Sequence, residues 1–200
     1  MTTRHRSFSK SVAGFALIAC LGMVRGSLAG LGGNITVYAD PEASECAVTD
    51  DAVGPITVYV FHTNIAVPIY SSKFRVVESA GFSATFVSQN VLFAGYVGSF
   101  RDGIDMPYGG CFTGSLLLGT IVYEGHGTSA GCSYIDVAAN PNPPGIFPFP
   151  AAASCHFDWY EAWPIGKLYV NPVEGECEAK CGSVVAVQGS TWGHVKALYR

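Results

Sequence analysis

Charged side chains are scarce in this 200-residue chain: 13 % of residues are Asp, Glu, Lys or Arg, against 49 % apolar, roughly half the usual charged share. Ample apolar surface excludes a disordered acidic or basic tail protein. Basic residues are the scarcer sign, 11 against 15 acidic for a net charge of −4, which excludes a dedicated nucleic-acid binder because no basic surface is present to neutralise phosphates. The 24 Gly and 11 Pro follow no fixed period, which excludes collagen and disfavours long helices. Metal-protease spacing is also missing. His62, His126, His156 and His194 form neither H-E-x-x-H nor His-x-His, and Gly98-Ser99 and Gly114-Ser115 read as ordinary Gly-Ser turns.

The first residues read as an address. Arg4, Arg6 and Lys10 make a positive start, and Ser11 to Val24 carries no charge. That stretch is short for a membrane span and suits the apolar region of a signal peptide. Ser27-Leu28-Ala29 supplies small residues for a cut after Ala29. The competing reading is a lipobox at Leu17-Ile18-Ala19-Cys20, with a lipid on Cys20. Residues 1–29 hold four basic and no acidic residues, which leaves seven basic and fifteen acidic residues, about −8, in the processed chain.

Beyond the address lie six cysteines: Cys46, Cys111, Cys132, Cys155, Cys177 and Cys181. An even number in an exported chain reads as a disulfide framework. Pairing stays open among fifteen arrangements. Chain proximity favours Cys132–Cys155 and Cys177–Cys181, with Cys46–Cys111 remaining. Zinc fits poorly, because Cys177-x3-Cys181 has no second ligand pair. No metal or cofactor follows from the sequence.

The body reads as roughly ten short strands. Ile35, Val37 and Ala39 alternate with polar neighbours, as do Ile56, Val58 and Val60. Further candidates are 73–78, 82–88, 91–97, 115–124, 133–138, 157–163, 167–171 and 183–187, with turns at Asp50-Asp51, Ala80-Gly81, Gly109-Gly110, Gly125 to Gly127 and Pro164 to Gly166. The fold class expected is all-β, an antiparallel sandwich or barrel. Asn140 to Ser154 holds five prolines and reads as a loop whose Ile146, Phe147 and Phe149 fold back on a sheet edge or bind something. Ser190 would cap a short helix in a tail at 189–200. The organisation is therefore 1–29 signal peptide, 30–188 disulfide-containing sandwich and 189–200 tail.

Chemistry is thin. Asp102, Asp105, Asp158 and Glu161 are the candidate carboxylates of a carbohydrate-active enzyme, but in a strand Asp158 and Glu161 point to opposite faces. Asp102 and Asp105 around Gly103 lack the ligand count of a full calcium loop and read as turn acids. The strongest binding feature is Phe157-Asp158-Trp159-Tyr160-Glu161-Ala162-Trp163. In an extended strand Phe157, Trp159 and Trp163 share one face, which is either core or a stacking platform.

The order Val37-Tyr38-Ala39-Asp40, Cys46, Ile56 to His62, Tyr108-Gly109-Gly110-Cys111, Leu118 to Ile121, then Cys132 and Asn140-Pro141-Asn142 resembles a family of uncharacterised exported bacterial proteins. The resemblance covers about residues 34–157, and the segment Thr191 to Arg200 is similar to tails of such proteins. It implies an antiparallel immunoglobulin-like β-sandwich and supplies no catalytic residue. The expectation is an exported, non-catalytic β-sandwich, secreted or in the cell envelope, with a binding or structural role toward a carbohydrate or protein partner. Membrane contact would come only through a lipid at Cys20. The alternatives are a lipid-anchored envelope protein and, less favoured, a carbohydrate-active enzyme.

Overall fold

A computed structural model describes residues 31–141, 148–179 and 181. The address segment with Cys20, the candidate strand at 183–187 and the helix-capped tail at 189–200 lie outside the described residues. Every regular element described is a strand: β1 (Asn34–Tyr38), β2 (Ala47–Val48), β3 (Val53–Glu78), β4 (Thr85–Val91), β5 (Val97–Ser99), β6 (Gly103–His126), β7 (Ser133–Ala138), β8 (Ala151–Ser154), β9 (Trp159–Glu161) and β10 (Leu168–Val170).

Two long strands organise the molecule. β3 and β6 run antiparallel from Val53 opposite His126 to Phe74 opposite Ile104. β1 and then β8 flank the other side of β3, while β4 and β5 flank β6. β3 then leaves this first sheet, and its last four residues, Arg75 to Glu78, pair with β7 in a second sheet that continues through β10 to β2. A strand that changes sheets in this way makes a corner of a sandwich. The layers meet through alternate side chains: Ile35, Val37, Val58, Phe74, Ile104, Met106 and Ile121 from the first sheet, Ile135, Val137 and Leu168 from the second, all in one buried cluster.

Several sequence expectations need correction. The sheet is mixed rather than wholly antiparallel, since β2 and β10 pair in parallel and Asn34 makes a parallel bridge to Trp163. Separate candidates at 56–60 and 73–78 belong to one strand. Gly109-Gly110 is no turn but lies within β6, where φ of +72° at Gly109 and +85° at Gly114 absorbs the register shifts against β3. Residues 92–96 are a bend and not a strand. The proline-rich stretch ends in β8, because Ala151 to Ser154 hold no proline and can pair with β3. Phe149 does fold back, stacking on Trp163 at 4.5 Å between centroids.

All six body cysteines are bridged, as Cys46–Cys181, Cys111–Cys155 and Cys132–Cys177. None of the pairs favoured by chain proximity forms. Strand adjacency decides instead. β10 beside β7 places Val170 opposite Ser133, which brings the chain after β10 to Cys132. Ile69 of β3 pairs with both Phe112 and Ser154, so Cys111 and Cys155 flank the same point.

A buried carboxylate ties the loops at one end. Asp50 accepts N–H bonds from Gly127 at 2.8 Å and Ser129 at 3.1 Å, and its own N–H donates to Asn171 Oδ1 at 2.7 Å. Burial pushes the Asp50 carboxyl up, but the Ser129 hydroxyl and the backbone N–H groups of Gly127, Ser129 and Thr128 outweigh it and hold it below the usual range. Its contribution is therefore present above the ordinary carboxylate range and is lost as pH falls through the lowered value. Asp50→Ala should cost about 2 kcal/mol in urea unfolding at pH 7, because two amides lose their acceptor. A loss under about 0.5 kcal/mol would show that water replaces the carboxylate.

Candidate protein-docking face

The outer side of the first sheet is built by alternation. Ile104, Met106, Phe74 and Ala152 point inward and are fully buried. Their neighbours must point out. Register then aligns Val97, Asp105, Lys73, Ala151 and Glu161 across β5, β6, β3, β8 and β9. A second row holds Pro107, Ser71, Ala153 and Trp159. The floor is small-chained and covered: Ser71, Ala151 and Ala153 are buried. Lys73 lies across it, its Nζ 2.7 Å from Asp105 Oδ2 and 5.2 Å from the centre of the Trp159 ring.

The apolar groups stand at the rims. Val97 is 73 % exposed at one edge. Beyond the Trp159 row, Tyr70 is exposed where β3 shifts register between Ile69 and Ser71, and its ring meets Phe157 edge-on at 6.1 Å.

Phe157 is the unusual residue. It is 75 % exposed and has φ of +65°, the left-handed region. For a side chain with Cβ that conformation costs about 1 kcal/mol or more. The turn over-determines it. Ser154 Oγ accepts the N–H groups of His156 and Asp158, each at 3.2 Å. Ser154 O accepts from Phe157 N at 2.9 Å, and Asp158 O accepts from Ser154 N at 2.8 Å. The Cys111–Cys155 bridge pins the base of the turn to β6.

The aromatic heptapeptide is therefore divided. Only Trp159 to Glu161 is strand, so Phe157, Trp159 and Trp163 do not form one platform. Phe157 meets Tyr70, half-buried Trp159 lies beneath Lys73, and half-buried Trp163 stacks on Phe149. Tyr160 turns inward against the core. The candidate carboxylates are separated in role: Asp102 accepts from Ser99 Oγ at 2.7 Å, Asp105 holds Lys73, Asp158 sits exposed in the Phe157 turn and Glu161 lies on β9.

The histidines do different work. His62 follows the alternating run Ile56 to Val60 and reads as a strand-end polar residue, but it is completely buried within β3. Its Nε2 lies 2.6 Å from the Gly32 carbonyl oxygen, which can only accept, so Nε2 carries the proton. Nδ1 then accepts the Tyr108 hydroxyl at 2.8 Å. Burial pushes the ring down to about 4, against a smaller upward pull from the Gly32 carbonyl, and burial likewise raises the Tyr108 phenol. His126 Nε2 pairs with Thr85 Oγ1 at 2.8 Å, and His156 is in the exposed turn.

The sequence is expected to hold no nucleophile elbow, yet Gly127-Thr128-Ser129-Ala130-Gly131 spells G-x-S-x-G; it lies in the loop between β6 and β7. Ser129 Oγ accepts the Ser83 N–H at 3.1 Å, and the hydroxyl also bonds Asp50. With His126 bonded to Thr85, the pentapeptide closes a loop, whereas a nucleophile needs an adjacent base. Among the described residues no three of His, Cys, Asp and Glu cluster as a metal site would require. On the second sheet's outer side, Asp136, Lys167, Tyr169 and Glu178 line a shallow cleft of about 330 Å³, and Lys167 Nζ sits 3.6 Å over the Tyr134 ring.

The exposed Phe157 left the aromatic cluster as a sequence signal, and Ser154, three residues earlier, is the local signal for the turn. The exposure of Phe157 has no such signature, because it depends on Tyr70 and on the Cys111 bridge, both remote in the chain.

No protein-family model matches the chain, and no curated protein matches it. Solved structures do. The type II cohesin dyad from an adaptor scaffoldin of Acetivibrio cellulolyticus aligns with TM-score 0.50 and 8 % identity over 72 % of this chain and 50 % of that one. A cohesin module from a Clostridium perfringens family 33 glycoside hydrolase aligns with TM-score 0.48 and 7 % identity over 70 % of this chain and 98 % of that one. A type I cohesin in a cohesin–dockerin complex from Clostridium thermocellum aligns with TM-score 0.46 and 17 % identity over 70 % of this chain and 100 % of that one. At such identities the likeness extends to architecture alone: this chain has a β-sandwich fold similar to that of the scaffoldin cohesin dyad.

Proposed function

We propose that this protein is an exported, non-catalytic β-sandwich that docks a protein partner through the outer side of its first sheet, with Phe157 as the anchor. One observation carries the reading. Phe157 combines a costly backbone conformation with solvent exposure, and neither benefits the fold. Strain of this kind persists where the surroundings enforce it, and it concentrates at functional positions. Exposed aromatic anchors beside neutral contacts are the usual energetic centre of an interface. Three disulfides support a setting outside the reducing cytoplasm. Cohesin–dockerin pairing belongs to the Clostridium thermocellum protein; the reading for this chain rests on its own face. The immunoglobulin-like label and export by a cut after Ala29 remain parts of this proposal.

Peptides selected from a random display library on the immobilised full chain provide the test. Phe157→Gly should weaken the selected peptides about thirtyfold or more, the mark of a hot spot near 2 kcal/mol. Val53→Ser, at a distant exposed site, should leave them unchanged. Phe157→Gly should not destabilise the fold, since glycine relieves the left-handed cost. Selected peptides indifferent to residue 157 would refute the docking reading.

A further inference from the structure

We infer that the partner segment received by this face is cationic, with Lys or Arg side chains placed against Asp158 and Glu161; this rests on the docking reading above. Among the described residues there are fifteen acidic and four basic side chains, Lys73, Arg75, Arg101 and Lys167. Arg101 is held by Glu78 at 2.8 Å, on the far side of β6 from this rim. Lys73, the one cation of the two outward rows, is neutralised by Asp105 and lies against Trp159. Arg75 pairs with Ala138 in the second sheet, and Lys167 lies over the Tyr134 ring there. The rim's remaining charge is therefore negative. Asp158 adjoins Phe157 in the exposed turn, and Glu161 follows Trp159 on the same side of β9. Neither carboxylate has an ion pair among the described residues.

Closing a partner over Phe157 and Tyr70 removes water from these carboxylates. An apolar partner would leave two charges desolvated and unpaired, which is costly. An acidic partner would add like-charge repulsion to that cost. A cationic segment compensates both. Arg adds a planar group that can lie on the Phe157 or Tyr70 ring while its fork meets a carboxylate. The acidic excess of the described residues, fifteen against four, would also speed the encounter.

The same display-selected peptides separate this inference from the docking reading. They should carry net positive charge. Asp158→Asn with Glu161→Gln should weaken them about tenfold, and raising NaCl from 0.05 to 0.5 M should weaken them by a similar factor. Glu174→Gln with Glu176→Gln, on the exposed loop after β10, should leave binding unchanged. Neutral or acidic peptides that lose affinity with Phe157→Gly but ignore the Asp158 and Glu161 changes would overturn the cationic inference and leave docking intact. Equal weakening by the remote pair would also overturn it, because the attraction would then belong to the overall charge. Peptides indifferent to Phe157→Gly as well would end both readings.

Discussion

Replacing Cys46 and Cys181 together by alanine is expected to lower the unfolding free energy by about 5 kcal/mol in the chain-entropy description of cross-links. The bridge spans 135 residues, nearly the whole described body, so opening it releases the largest loop. The other bridges span 44 and 45 residues and should be worth about 4 kcal/mol each on the same basis. The Cys46 bridge also sits in a small apolar cluster with Tyr38, Phe61 and Leu117. Its removal therefore loosens packing at the start of β2 as well as freeing the chain. Urea unfolding of the double variant under non-reducing conditions measures this directly. A change below about 1 kcal/mol would mean that the denatured chain is already compact there and the constraint is redundant.

Acidification from pH 7 to pH 4 should cost about 3 kcal/mol through His62 alone. The ring is completely buried and its proton affinity is depressed to about 4, from an ordinary value of 6.5. Between those limits the unfolded chain binds the proton and the folded chain does not. Stability from this group is thus fully present above about pH 6.5 and declines as pH falls toward 4. Protonation would place a second N–H against the Tyr108 hydroxyl, which now donates to Nδ1. It would also charge the site that holds the Gly32 carbonyl at the entrance to β1. Gly32 has no room to yield, since a Cβ there would stand 2.5 Å from the Glu161 carbonyl oxygen. Asp136 acts oppositely near the lower limit, because burial raises its carboxyl and favours the protonated form. Unfolding curves across this range for the natural chain and for His62→Gln check the assignment. The variant should be less stable at pH 7 and nearly flat from pH 6.5 to 4.5. A variant with the natural slope would place the titrating group elsewhere.

His62 separates what is legible in the sequence from what is not. His62 follows an alternating run and reads as the polar end of a strand. It is instead an interior residue of β3, because β3 continues through a register shift to Glu78. Nothing local signals that continuation. The bulges that permit it answer to the partner strand β6, whose glycines at 109 and 114 read as a turn until they are paired.

The same division applies to the covalent framework and the candidate face. Period-two alternation, scattered glycine and an even set of cysteines were sufficient for an all-β body with a disulfide framework, because burial on one side of a strand writes itself into neighbouring residues. The observed partners of Cys46, Cys111 and Cys132 depended on which strands lie side by side, and sequence distance carries no such knowledge. Trp159, Tyr160 and Trp163 likewise could not be assigned to core or surface from their spacing. Their surroundings come from Lys73, the inner core and Phe149, far away along the chain. Phe157 stands in solvent for the same reason: Ser154 closes its turn locally, but Tyr70 and a bridge from β6 converge on that turn only in the folded chain.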